Sequence, residues 1–244
     1  CSSANHERNG IMKECNISIN APEKMLKGAG IPNTSFIPAY IYKLHIELKN
    51  NSKEKKLCSF SSTFGNGICY LNNMEHSGPD SMIMEKINVV EPSVEIDNDN
   101  VIIFANNINL SPNSVNIITL DIALYDKLTV KSTVNIGEKI PHKSKIHFYG
   151  HLICQDTVDS CNATSYAQDY DLVVMCDNKK IEKGETTKFY LHCNAGQYDM
   201  VRSVYVRSIL DEELEFVGDS SNLQPRNIYP FNGKTILKWD VGSL

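Results

Sequence analysis

No stretch of this 244-residue chain approaches the roughly 18 consecutive apolar residues of a membrane-spanning helix, and no signal peptide is expected at its start. Basic runs are equally scarce. The chain carries 24 Lys and Arg against 29 Asp and Glu, a net charge of −5, so the electrostatic footprint of a nucleic-acid binder is missing. A Gly-rich phosphate loop, a nucleophile elbow and a zinc-protease motif are all absent, and no serine sits in an activating context. The expectation is a non-catalytic protein that needs no cofactor. Helical periodicity is lacking too, since no segment supports a helix of several turns. Tryptophan occurs once, at Trp239. With 41% hydrophobic and 22% charged residues the composition is still that of a globular protein, which excludes wholesale disorder and a collagen-like repeat.

What the sequence does contain is alternation. In Tyr42 to Lys49 an apolar residue occupies every second position, so an extended strand would bury one face and leave Lys43, His45, Glu47 and Lys49 to water. The same period fits Ile118, Leu120, Ile122 and Leu124; Ile146, Phe148 and Leu152; Phe189, Leu191 and Cys193; and Val204, Val206 and Leu210. Clusters such as Ser111-Pro112-Asn113, Asp177-Asn178 and Asn232-Gly233 separate the runs with turn-forming residues. Short strands at such spacing predict an all-β protein made of antiparallel β-sandwiches.

An internal correspondence suggests two of them. Ile102 to Leu110 has the layout of Ile236 to Leu244, and Tyr42-Lys43-Leu44-His45 has that of Phe189-Tyr190-Leu191-His192, in the same order. The expected organisation is a lead-in at 1–34, a first sandwich at 35–160 and a second at 161–244, joined by the polar stretch Gln155 to Gln168. On this alignment the second repeat stops where the first continues from Ser111 to Cys154, so its sandwich should be incomplete and expose sheet edges prone to pairing with another chain. Either the polypeptide continues or a neighbour supplies the missing strands.

Eight cysteines, Cys1, Cys15, Cys58, Cys69, Cys154, Cys161, Cys176 and Cys193, fall into four couples separated by 14, 11, 7 and 17 residues. Zinc sites favour much closer pairs, so these read as disulfide candidates, each joined to its neighbour in sequence, although eight cysteines allow many connectivities. Disulfides imply an oxidising compartment outside the cytoplasm. Acceptor triplets place candidate glycans at Asn16, Asn33, Asn50 and Asn162 on exposed loops; Asn109 also begins a triplet, but its serine is followed by Pro112.

Three segments carry a family likeness. Ser203 to Leu210, Leu214-Glu215-Phe216-Val217-Gly218-Asp219-Ser220 and Leu237-Lys238-Trp239-Asp240-Val241-Gly242-Ser243-Leu244 resemble the repeat of bacterial surface proteins known as domain of unknown function eleven, with Ser208 where that repeat usually has Asp. Leu110 to Val115, Gly137-Glu138 and the Ile146 to Leu152 strand resemble its second half. The resemblance implies an immunoglobulin-like β-sandwich acting as a spacer, assembly or adhesion module in extracellular arrays, with no catalytic residues.

Other candidates have plainer readings. His45, His142, His147, His151 and His192 lie on predicted strands without acids at ligand spacing; His147 and His151 would sit about 13 Å apart, too far for one metal. Asp97 and Asp99 in Asp97-Asn98-Asp99-Asn100 could offer oxygens to calcium, but the pattern equally describes a turn. Asp211-Glu212-Glu213 reads as a solvated turn and Trp239 as a core anchor between sheets. The expected function is a structural or assembly module of a cell surface or appendage, whose partners are other protein chains or neighbouring repeats. The alternative is an adhesin or receptor ectodomain that binds protein or glycan through loops at a sandwich end, with Ser59 to Gly67 and Gly218 to Asn227 as candidates. A lipoprotein beginning at Cys1-Ser2-Ser3 is a third reading.

Overall fold

The computed structural model describes residues 13–29, 38–93, 98–128, 137–155, 157–197, 201–218 and 221–244. The chain divides into two compact units, Cys1–Gln168 and Asp169–Leu244. Both are all-β.

The first unit is a two-layer sandwich. One layer contains β1 (Cys15–Asn20), β3 (Tyr42–Asn50), β8 (Ser114–Tyr125) and β5 (Ile68–Ser77) in that order. The other contains β6 (Ile87–Val90), β7 (Val101–Leu110), β4 (Lys56–Phe64), β9 (Lys145–Cys154) and β10 (Thr157–Gln168). These pairings are antiparallel. The short strand β2 (Lys24–Ala29) turns the corner between layers, pairing parallel with β10 over its first half and with β8 over its second. A single helical turn, α1 (Ile83–Lys86), precedes β6.

Alternation decides which faces meet. Leu44, Ile46 and Leu48 of β3, Ile118, Leu120 and Ile122 of β8, Phe60 and Phe64 of β4, and Ile146, Phe148 and Leu152 of β9 are all buried in one core. Phe64 and Phe148 lie in tilted contact at 5.7 Å between ring centroids. Over β9 the packing is close enough to demand glycine. A Cβ on Gly150 would come within 2.8 Å of the Cys161 sulfur and 3.0 Å of Ile17 Cδ1, so β1 can lie against β9 only because Gly150 has no side chain.

Buried polar groups are tied down where the layers close. Asn50 at the end of β3 is fully buried; its amide donates to the carbonyls of Glu54, Leu110 and Ser111 at 2.8 to 3.1 Å, and its oxygen accepts from the Ser52 nitrogen and hydroxyl. Asp80 accepts from Ser111 N, Ser111 Oγ, Ser114 Oγ and Asn116 Nδ2, which pins the segment before α1 to the turn between β7 and β8. Burial works to raise the Asp80 carboxyl, but these hydrogen bonds, led by Ser111, outweigh it and hold the group below its ordinary range. The ammonium of the buried Lys27 faces Asp126 at 3.7 Å.

The second unit has two smaller sheets: β11 (Tyr170–Cys176) with β12 (Phe189–Ala195), and β13 (Val204–Leu210), β15 (Lys234–Gly242) and β14 (Asn227–Phe231) with β15 in the middle. Val206, Leu237 and Trp239 form its core, with Leu191, Cys193, Leu210, Phe216 and Val241 against them. Trp239 thus packs between the sheets.

The organisation differs from the sequence reading in two respects. Part of the expected lead-in at 1–34 forms β1 and β2, which complete both layers of the first unit. The boundary falls after Gln168, not at 160, because the polar stretch Gln155 to Gln168 is mostly the strand β10, hydrogen-bonded to β9 along its length. Its polarity reflects a strand with one face to solvent.

Candidate assembly site

The two units share one plan. In the first, β1 pairs with β3, and β7 lies between β4 and β6; in the second, β11 pairs with β12, and β15 lies between β13 and β14. The five strands occur in the same chain order, and every pairing is antiparallel. The internal correspondence noted in the sequence thus has a topological counterpart: β3 matches β12, and β7 matches β15.

What differs is the surroundings. In the first unit β3 is also paired by β8, and β4 by β9. Among the described residues β12 has β11 alone and β13 has β15 alone, so each presents one unpaired edge. The burial follows. Among the described residues, fourteen of the twenty-two exposed large apolar side chains belong to the second unit, the smaller of the two, including Leu172, Val174, Phe189, Tyr190, Tyr205 and Ile209. Such a concentration of exposed apolar side chains beside open strand edges makes this a candidate interaction surface. Local polar contacts tune it: Lys238 Nζ lies 4.5 Å over the Tyr205 ring, and the Tyr190 hydroxyl donates to Asp177, which raises its pKa.

Among the described residues, no cysteine pairs with its neighbour in sequence. Cys58 and Cys154 form a disulfide between the adjacent strands β4 and β9, where they are register partners. Sequence adjacency is a poor guide because a sandwich brings strands 96 residues apart side by side. Cys69 and Cys161 are free thiols, as are Cys176 and Cys193. The last two lie on paired strands, but Cys193 faces Leu172 and Cys176 faces Phe189, an offset of four residues or about 13 Å along the strand, beyond disulfide reach. Burial pushes the Cys193 thiol up, and pushes Cys161 up to about 11. Cys1 lies outside the described residues. Cys15, also a free thiol, is buried beside the disulfide, with the sulfurs of Cys15, Cys58 and Cys154 all within 4.8 Å of one another. The sequence reading missed this group, although a signal existed: each of the three is in phase with the inward-facing residues of its strand, as Cys154 is with Phe148 and Leu152.

Of the glycan candidates, Asn50 is corrected. Its side chain is buried with both amide atoms engaged, so no glycan fits on it in the folded protein. Asn16 and Asn162 lie within strands β1 and β10 and not on loops; Asn16 accepts from Asn51 at 2.6 Å, and Asn162 is exposed. Asn33 lies outside the described residues. So does Asp97, while Asp99 accepts from Asn66 Nδ2 at 3.2 Å and Asn98 forms an antiparallel backbone bridge with Ser93. Four of the candidate histidines lie on strands and His142 lies in the turn before β9: His45, His151 and His147 bond to Thr119, Ser160 and Thr164 across neighbouring strands, and His192 stacks on Tyr190. Ser59 to Gly67, expected to be a recognition loop, is mostly strand β4, paired on both sides by β7 and β9; its turn begins only after Phe64. The Gly218 to Asn227 segment precedes β14, with residues 219–220 outside the described residues.

No family model and no curated protein matches the chain. Solved structures give distant likenesses. A cohesin module from the family 33 glycoside hydrolase of Clostridium perfringens is 7% identical, with 64% of this chain and 98% of that one covered and a TM-score of 0.36. The full-length major pilin SpaD from Corynebacterium diphtheriae is 10% identical over 94% of this chain and 48% of its own, with a TM-score of 0.39. The Bacillus cereus major pilin subunit BcpA is 12% identical over 93% and 55%, with a TM-score of 0.34. The chain spans about half the length of each pilin. Likenesses this distant assign neither a family nor an activity.

Proposed function

We propose that this protein is a non-catalytic structural and assembly module of a cell surface or surface appendage, and that its second unit is the joint, completed by antiparallel strands added along β12 and β13. The observation that carries this reading is the shared five-strand plan in which, among the described residues, β12 and β13 each have one unpaired edge. The first unit indicates what the partner strands resemble: segments like β8 and β9, apolar at alternate positions, with those side chains directed onto the Trp239 layer. Backbone hydrogen bonds would supply affinity, and burial of residues such as Phe189 and Leu191, in phase on β12, would add the apolar contribution. The partner is another protein chain or a neighbouring repeat. An extracellular location agrees with the Cys58–Cys154 disulfide, which persists in oxidising surroundings.

Amide hydrogen exchange and sedimentation of the whole chain test the reading together. Amides of β12 and β13 should exchange far faster than those of β3 and β4 in dilute protein and become protected as the chain associates at higher concentration. Phe189→Lys with Ile209→Lys should reduce that association by blunting the edges. A chain that stays monomeric at every concentration, with β12 and β13 as protected as β3 and β4, rules the reading out.

A further inference from the structure

The three-sulfur group in the first unit has a chemistry that the assembly reading does not use. Cys58 and Cys154 are bonded within one layer, between strands already hydrogen-bonded to each other, while Cys15 comes from β1 in the opposite layer. All three side chains are buried, and their sulfurs lie within 4.8 Å of one another. A thiol this close to a disulfide is the starting arrangement for exchange. Its surroundings hold Cys15 in place: Thr157 hydrogen-bonds to it and donates to the Cys154 carbonyl, and the main-chain nitrogen of Ile17, two residues on, donates to Asp159 at 3.0 Å. The charged groups that act on the thiol, Lys56 and Glu14, are paired with each other at 2.6 Å.

We propose that Cys15, Cys58 and Cys154 form an internal thiol–disulfide exchange site, at which the bond within one layer is traded for a bond between the two layers. The sulfur of Cys15, as thiolate, attacks the sulfur of Cys58 or Cys154. The Cys58–Cys154 bond breaks, a bond from Cys15 forms, and the displaced sulfur leaves as thiolate and takes up the proton that Cys15 gave up. One disulfide and one thiol remain, so no oxidant or reductant is consumed. Burial raises the Cys15 thiol pKa, partly offset by Lys56 and reinforced by Glu14, so at neutral pH the thiolate is the minor form. The product ties β1 covalently to β4 or β9 across the core. In the starting form β1 is held by its pairing with β3, by Asp159 and by packing.

Non-reducing peptide mapping of the full chain tests this, after incubation at neutral pH, acid quenching and alkylation with N-ethylmaleimide. The expected result is two linkages, Cys58–Cys154 and one joining Cys15 to Cys58 or Cys154; Cys15→Ser should lose the second and keep the first. Cys58→Ser, oxidised with glutathione disulfide, should form Cys15–Cys154. The proposal is overturned if wild-type Cys15 is always recovered alkylated, or is linked to any other cysteine. It is equally overturned if folded Cys58→Ser leaves Cys15 and Cys154 as thiols or separate glutathione adducts. The wild-type map decides the matter even where a variant fails to fold.

Discussion

In the first unit β3 and β4 each have a hydrogen-bonded neighbour on both sides; β12 and β13 hold the same places in the second unit and, among the described residues, have one each. The local sequence logic is the same in both, an alternation that turns one face inward. Yet Leu44, Ile46 and Leu48 on β3 are fully buried, whereas on β12 Leu191 and Cys193 are half-exposed and Phe189 is 52% exposed. Alternation specifies a face, but only a second layer of adequate width removes that face from water. The extra strands β8 and β9 are that width.

The comparison can be broken most forcefully at a core position. Phe148→Ala should destabilise the first unit by about 3–5 kcal/mol, since the ring is wholly buried against Phe64. Urea unfolding followed by probes in each unit should show the second unit's transition unmoved. Reducing the Cys58–Cys154 disulfide comes next, with a loss of about 2–4 kcal/mol in the first unit and no shift in the second, measurable by repeating the titration with dithiothreitol. A smaller effect is expected of Asn50→Ala, which leaves the carbonyls of Glu54, Leu110 and Ser111 without their donor and should cost about 1–3 kcal/mol.

The Asp80 contribution should show as a pH dependence confined to the first unit. Its folded-state pKa is depressed, so the stability it confers is complete above the ordinary carboxylate range and is lost as pH falls through the lowered value. Asp80→Asn should flatten that acid limb, and an unchanged limb would assign it to other carboxylates. The smallest change is expected from Phe231→Ala in the second unit. That ring is 59% exposed, and its loss should shift stability by no more than about 0.5 kcal/mol in dilute protein. A much larger shift at low concentration would mean that the surface is already covered.

Much of this was legible in the residues. Tyr42 to Lys49 reads as a strand and is one, with Leu44, Ile46 and Leu48 inward as the period requires. The correspondence between Ile102–Leu110 and Ile236–Leu244 was visible because both strands occupy the middle of a three-strand group and turn matching residues inward, Ile103 and Ala105 in one, Leu237 and Trp239 in the other. Other features were hidden. The segment Ser59 to Gly67 looked like a disulfide-closed loop because Cys58 and Cys69 bracket it, but Cys58 bonds to Cys154, and Ser61 and Thr63 are the solvent-side positions of β4. The three-sulfur group went unseen because its members come from β1, β4 and β9, and no local pattern records which strands end up adjacent.

The sequence by itself determined the β class, the inward face of most strands and the existence of a repeated plan, because a period of two is a property of neighbouring residues and of backbone geometry. Tertiary structure alone decided that Cys58 meets Cys154 with Cys15 beside them, that Asn50 is sealed from solvent, and that β12 and β13 keep open edges. Each of these depends on which distant strands pack together, and that choice is made by the whole core at once.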